Sequence, residues 1–574
     1  MKKLLVYLKD YKKETVFAPL FKLLEALFEL FVPLVMAAII DNGIENKDTS
    51  YILKYGGILI LLGVVGLCAS ITAQYFAAKA AVGFSTKVRH SLFEHITSFS
   101  YTEIDNVGTS TMITRLTSDI NQLQNGVNMA LRLLLRSPFI VGGAMIMAFT
   151  IDVKASLVFL LVIPALTLVV CGIMKITIPM YKKVQGALDN VLLSTRENIE
   201  GVRVIRAFNQ EQDEINRFDE KNIYLKGLQI LVGKISGLMN PFTYAIVNFG
   251  IVVLIWKGAI FVNGGVLTQG QVIALINYMS QILVELIKLA NLIVTITKSL
   301  ACANRISEVF DIQNSDITGD NKSWDNNSET IVEFENVGLL YSGSKEEALS
   351  NISFKVKKGE TVGIIGGTGC GKSSLVHLVT GFYQAHTGCV KVAGIDIKQW
   401  DNVALRENIG IVMQKAVLFA GSIKENLLWG SIDNTDEELN RYINISQSEE
   451  FVSQKEGGID YQLEQGGKNL SGGQRQRITI ARALARKPKI LILDDSFSAL
   501  DFATDAKLRK ALKENKKDTT VFIVSSRTSS IQHADKIIVL DDGEIVGIDT
   551  HHNLLENCDI YREIHNIQVN GGEA

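Results

Sequence analysis

Four stretches of this 574-residue chain, at 55–78, 155–174, 235–256 and 258–284, contain no charged residue. A helix needs roughly 20 apolar residues to cross a bilayer, so long uncharged runs read as membrane spans. Two less clean stretches, 15–40 and about 128–151, extend the count. The turn signal "VNGG" at 262–265 divides the last run. Six spans are therefore expected, at about 15–40, 52–80, 128–151, 155–178, 235–261 and 267–300. An even number puts both chain ends on one side, and Lys2, Lys3, Lys182 and Lys183 mark that side as cytoplasmic. Six of the seven prolines lie in or beside these stretches, where neighbouring helices can satisfy the freed backbone.

The two ends of the chain differ. Residues 301–574 alternate charge with short apolar runs, and the chain is too long for one core. An all-helical domain over 1–310, a polar linker over 311–330 and a second domain over 331–574 are expected. The outer connections 41–50, 150–154 and 262–265 are short, whereas 79–127 and 175–234 are long, polar and helix-patterned. Those inner helices run past the bilayer, with bends expected at "SYTEIDNVGTS" (100–110) and "AFNQEQDE" (207–214). Lys22, Glu25 and Glu29, three and four apart, share one helical face. Charges within a membrane face a protein interior or a wet cavity, so Glu29 reads as a cavity wall and Lys22 as either a wall or a pair with Glu25. Glu285 and Lys288 repeat the pattern, and Asp41 reads as an exposed loop carboxylate, with membership of an outer gate as the alternative. Six cysteines without paired spacing read as reduced thiols, and "MKKLLVYLKDYKK" as an amphipathic surface helix, not a cleavable signal. A formal net charge of -2 gives no footprint for nucleic acid.

The second half carries a phosphate-binding motif. "TVGIIGGTGCGKSSL" (361–375) is a β-branched strand, a glycine loop and a helix start. Gly366, Gly371, Lys372 and Ser373 fill G-x-x-x-x-G-K-[ST], with Gly367, Thr368, Gly369, Cys370 and Ser374 completing the loop. Such a loop closes backbone N–H groups around phosphate oxygens, its lysine reaches the terminal phosphates and its serine binds magnesium. "PKILILDD" (488–495) is a second buried strand, with Asp494 placed to hold that metal. In "NLSGGQRQRITIARAL" (469–484), Ser471, Gly472, Gly473 and Gln474 open a basic helix, a second anion site.

With these motifs in order, the chain resembles an ATP-binding cassette (ABC) exporter half: six spans followed by one α/β P-loop domain. The resemblance covers essentially the whole chain. It implies ATP and Mg2+, a second exporter half as partner, and a multi-pass protein of the cell membrane with its nucleotide domain in the cytoplasm. It implies that Tyr341 stacks on adenine, that Gln414 contacts magnesium and the attacking water, and that Asp501 in "SALD" links two sites. Glu464 resembles the acidic segment before the signature, displaced by one position. It also implies that Ser471–Gln474 close over the partner's ATP.

Two positions depart from the pattern. Asp495 stands where the family places its catalytic glutamate, and Ser526 where it places a switch histidine. His533, beyond the strand and in the following helix, does not replace it. An acid one methylene short loses roughly 1 Å of reach, which costs on the order of a hundredfold. The pair resembles the degenerate-site subunit of asymmetric multidrug exporters, a heterodimer exporting small amphipathic or apolar compounds across the lipid bilayer. The alternatives are a lipid or peptide exporter half, and a nucleotide-gated regulator or channel that binds ATP without pumping.

Overall fold

The computed structural model describes residues 3–314, 319–325, 328–515 and 518–570. Of the expected linker, residues 315–318 and 326–327 lie outside these, as does Lys2. The chain divides into two compact units. The first comprises residues 1–97 and 110–312, the second 98–109 and 313–574.

Six helices of the first unit are long and apolar enough to cross a membrane, and an α/β domain follows them, as expected. They are Leu4–Ile44, Thr49–Thr97, Thr109–Ile151, Val153–Glu200, Glu211–Asn263 and Gln269–Asp311. The shortest has 41 residues, about 60 Å at 1.5 Å per residue, twice the roughly 30 Å of a hydrocarbon core. Small residues let the backbones approach. Ala69, Ala73, Ala77 and Ala80 form a buried stripe on the second helix, while Ala18, Ala26 and Leu30 are buried on the first.

One network of charge joins the first, third and sixth of these helices. Lys22 is buried and donates to Glu25 at 2.5 Å and Ser70 at 3.2 Å. Arg136, which no charge pattern in its own span singles out, is buried in the third helix and binds Glu29 at 2.6 Å and Glu285 at 2.5 Å. Lys288 and Ser137 complete Glu285, each at 2.8 Å. Glu29 and Glu285 also line a cavity of about 320 Å³ with Asn277, Gln281 and Lys288. Asp41 is not a free loop carboxylate. It accepts from Thr268 Oγ1 at 2.6 Å and Gly270 N at 2.7 Å, fastening the start of the sixth helix.

In the second unit, β1 (Thr330–Leu339), β2 (Leu349–Lys357), β4 (Thr387–Val392) and β5 (Ile395–Asp396) form an antiparallel sheet ordered β2-β1-β4-β5. The central sheet runs β12-β11-β3-β10-β9-β6. Its strands are β3 (Thr361–Gly366), β6 (Ile409–Val412), β9 (Ile490–Asp494), β10 (Thr520–Val524), β11 (Lys536–Asp541) and β12 (Glu544–Asp549). All pairs are parallel except β11 with β12. β9 and β10 are buried at every residue, as strands covered on both faces must be. A two-stranded ribbon pairs β7 (Gly421–Ser422) with β8 (Gln462–Leu463).

The helix Tyr101–Val107, which lies in the chain between the second and third spans, belongs to this unit. Ser100 and Glu103 cap its start. Tyr101 stacks on Phe382 at 4.2 Å between ring centres, and Asp105 accepts from Tyr383 Oη at 2.6 Å. At the other expected bend, the helix Val202–Ala207 stays with the first unit.

Candidate functional site

The register of the central sheet brings the motifs together. In parallel pairing Val524 aligns with both Ile364 and Asp494, so β3, β10, β9 and β6 present their carboxyl ends in one row. Ligands of open α/β sheets sit at such ends. A cavity of about 370 Å³ opens there. Thr368, Gly369, Gly371, Lys372, Ser373 and Ser374 line it from the loop. Tyr341, Gln414, Asp494, Asp495 and Ser526 line it from the other segments.

The loop conformation depends on glycine. Gly371 has φ 93°, and a Cβ there would lie 2.7 Å from Ala348 O. It is the residue before the helix Lys372–Val379, whose first N–H groups are turned toward the loop. At Gly367 and Gly369 a Cβ would meet nothing within 4 Å, so the loop leaves open space for a phosphate chain. Lys372 Nζ donates to two carbonyls of its own loop, Gly366 O at 3.0 Å and Gly367 O at 2.5 Å, and lies 3.7 Å from Cys370 Sγ.

Ser373 Oγ donates to Asp494 Oδ1 at 3.0 Å. Burial, with Asp495 adding to it, pushes the Asp494 carboxyl above the usual carboxylate range. A buried carboxylate beside a hydroxyl offers hard oxygen donors, which fit Mg2+. Tyr341 is buried enough to raise its phenol above the ordinary value, and its Oη donates to Ser374 Oγ at 2.8 Å. Its ring meets Tyr383 edge-on at 5.0 Å.

The two departing residues are held by backbone. Asp495 has φ 45°, the left-handed region, and its N–H donates to Val524 O at 3.0 Å. Ser526 follows Ser525, whose N–H donates to Ile364 O at 3.0 Å. Gln568, on the C-terminal helix Asp559–Asn570, grips this loop from 42 residues away. Its Nε2 donates to Ser526 O at 2.7 Å, and its Oε1 accepts from Thr528 N at 2.8 Å. No sequence signal points to Gln568, because a lone glutamine near a chain end has no motif around it. His533 lies in the turn after the helix Thr528–Ile531, not within that helix, and lines a different cavity.

The signature residues stand apart. Ser471, Gly472, Gly473 and Gln474 do not line the phosphate-loop cavity. Ser471 Oγ accepts from Gln474 N at 3.2 Å while Gln474 Oε1 accepts from Ser471 N at 3.0 Å, a capping box for the helix Gly472–Ala485. A Cβ at Gly473 would lie 3.0 Å from Ala499 O, so glycine lets this helix start pack on the "SALD" loop. Asp501 accepts from Thr504 N at 2.9 Å and Thr504 Oγ1 at 2.8 Å, which hold its carboxyl below the usual range. Glu464 is exposed, and its backbone N–H donates to Asn469 Oδ1 at 3.1 Å.

Comparison with known proteins agrees on both units. The profile of the ABC transporter transmembrane region matches residues 15–286, and that of the ABC transporter matches 349–498. The chain is 34% identical to the uncharacterized ABC transporter ATP-binding protein YfiB of Bacillus subtilis, over 99% of this chain and 98% of that one. It is 30% identical to the putative multidrug export ATP-binding/permease protein YgaD of the same organism, over 99% of each. It is 31% identical to a putative export ATP-binding/permease protein of Rickettsia felis, over 98% of each.

Proposed function

This chain belongs to the ABC transporter family, as an exporter half with its transmembrane region fused to its ATP-binding domain, and from that premise we propose that it is the weakly hydrolysing half of a heterodimeric exporter of small amphipathic compounds. One observation carries the reading: a complete phosphate loop converges with Asp495 and Ser526 where a longer base and a histidine would position water. Lys372, the loop amides and Tyr341 bind ATP, and Ser373, Asp494 and Gln414 hold its Mg2+. Asp495 is left to orient the attacking water with a short side chain, and Ser526 carries no positive charge for the γ-phosphate.

The signature supports the pairing. Ser471–Gln474 keep a capped helix start but lie outside this chain's own cavity, so they are free to close over a partner's ATP. ATP binding draws the two nucleotide domains together. The helix Tyr101–Val107 carries that motion along the chain into the second and third spans, which turn an inward-facing path outward. Hydrolysis at the partner's site resets the pair, and this chain's site retains its ATP. Export of amphipathic compounds draws support from the name of YgaD and from spans rich in Phe, Met and Ile. The orientation, with the nucleotide domain in the cytoplasm, rests on Lys3, Lys182 and Lys183.

The test compares ATP turnover and dye uptake in inverted vesicles for this chain alone and for this chain purified with a second exporter half. Turnover should be low alone and high in the complex. Robust turnover by the homodimer would sink the division of labour, and ATP-dependent conductance without uptake would favour a gated channel.

A further inference from the structure

We propose that the nucleotide-binding unit carries a second small-molecule site, a regulatory pocket for an amphipathic anion. A cavity of about 340 Å³ lies against Thr361, the first residue of β3, whereas the phosphate loop leaves the other end of that strand. Five residue steps, about 17 Å, separate the two. Leu512, Val521 and Ile523 give it a buried apolar floor.

The wall is basic by helical spacing. Ala506, Arg509, Lys510 and Lys513, at intervals of three, four and seven, share one face of the helix Phe502–Asn515 and all line the cavity. Among the described residues, one lining carboxylate, Asp535, stands against these three cations. Lys513 has no ion pair or hydrogen bond among the described residues, and Lys510 only Glu514 at 4.0 Å. Lysines on a helix usually do no more than face water. Here they rim a concavity with an apolar floor, the arrangement that takes an anionic head on an apolar body.

Arg509 ties the pocket to the nucleotide site. Its Nε donates to Asp505 at 2.9 Å and its Nη1 to Ser529 O at 2.6 Å, while Nη2 makes no hydrogen bond among the described residues. Ser529 lies in the short helix that follows Ser526. An anion on Nη2 competes for the guanidinium and shifts that helix. Binding stands without the transport reading; the effect on nucleotide rests on it.

The experiment titrates the full-length chain, saturated with Mg-ATP, with 2-naphthoate, its uncharged amide 2-naphthamide, and inorganic phosphate. Naphthoate should fill one site, with the amide and phosphate each about tenfold weaker. Lys510→Met with Lys513→Met should weaken naphthoate about tenfold, as should Ala506→Trp, which fills the cavity from the helix's exposed face. No naphthoate binding to the ATP-saturated chain, equal binding of the amide, or indifference of both variants would overturn the site. Saturating naphthoate should change the rate of ATP release about threefold, an effect absent in Ala506→Trp; unchanged release would overturn the regulatory role.

Discussion

At residue 495 the backbone explains the side chain. A left-handed φ of 45° is tolerated by Asp better than by most longer residues, because a short polar side chain is able to bond to local backbone. Asp495→Glu should raise turnover of the purified chain about tenfold by restoring reach, while lowering its melting temperature slightly. A rate that does not rise would shift the cause of the proposed weak hydrolysis to Ser526 alone. Elsewhere in this unit, His377 is buried against Phe382 and Tyr383, and its Nε2 makes no hydrogen bond among the described residues. Burial holds its pKa below the ordinary 6.5. The unfolded chain therefore binds the proton more readily, so stability is full above pH 6.5 and is lost as pH falls below it. Melting curves across that range should show the loss, and His377→Phe should flatten it.

Among the elements, one arginine ties the third span to two others. Arg136 answers Glu29 and Glu285, which come from the first and sixth spans. Arg136→Met leaves two carboxylates facing each other in an apolar unit and should cost about 3 kcal/mol or more, read as thermal stability in detergent. Glu285→Gln should cost less, since Ser137 and Lys288 keep a partner. In the second unit, the switch segment depends on the C-terminal helix. Gln568→Ala should speed hydrogen exchange at the Thr528 amide about tenfold, and Gln568→Glu, which keeps the acceptor, should spare it. A Thr528 amide that exchanges at the same rate in both variants would mean that the helix Thr528–Ile531 needs no outside support.

For the whole molecule, what was legible in the sequence followed one rule: features carried by neighbours in sequence could be read, and features carried by distant partners could not. Charge-free runs announce spans because every residue of a span meets lipid or another span. The phosphate loop announces itself because its glycines, lysine and serine are contiguous. Lys22, Glu25 and Glu29 were visible as one face, but the arginine that makes Glu29 and Glu285 tolerable comes from another helix. Gln568 was invisible for the same reason, and so was the pocket, whose basic helix face is closed by Thr361, Val521 and Ile523 from separate strands.

The same separation makes a last prediction about the assembly. Within one chain the signature residues do not line the phosphate-loop cavity, and the proposed pairing assigns the two motifs to different ATP sites. In a homodimer, damage to either motif strikes both sites equally, and Lys372→Ala and Ser471→Arg should abolish turnover alike. In a heterodimer with a competent partner the two must differ. Ser471→Arg places a bulky cation at the helix start that closes over the partner's ATP, and should cut turnover about a hundredfold, the scale of losing an oriented phosphate contact. Lys372→Ala empties only the slow site, so turnover should fall a few-fold at most while ATP retained after turnover disappears. Measured in one complex, a large loss from Ser471→Arg with a small loss from Lys372→Ala assigns the fast site to the partner's phosphate loop. Equal losses would assign it to both and return Asp495 to the status of a slow but sufficient base.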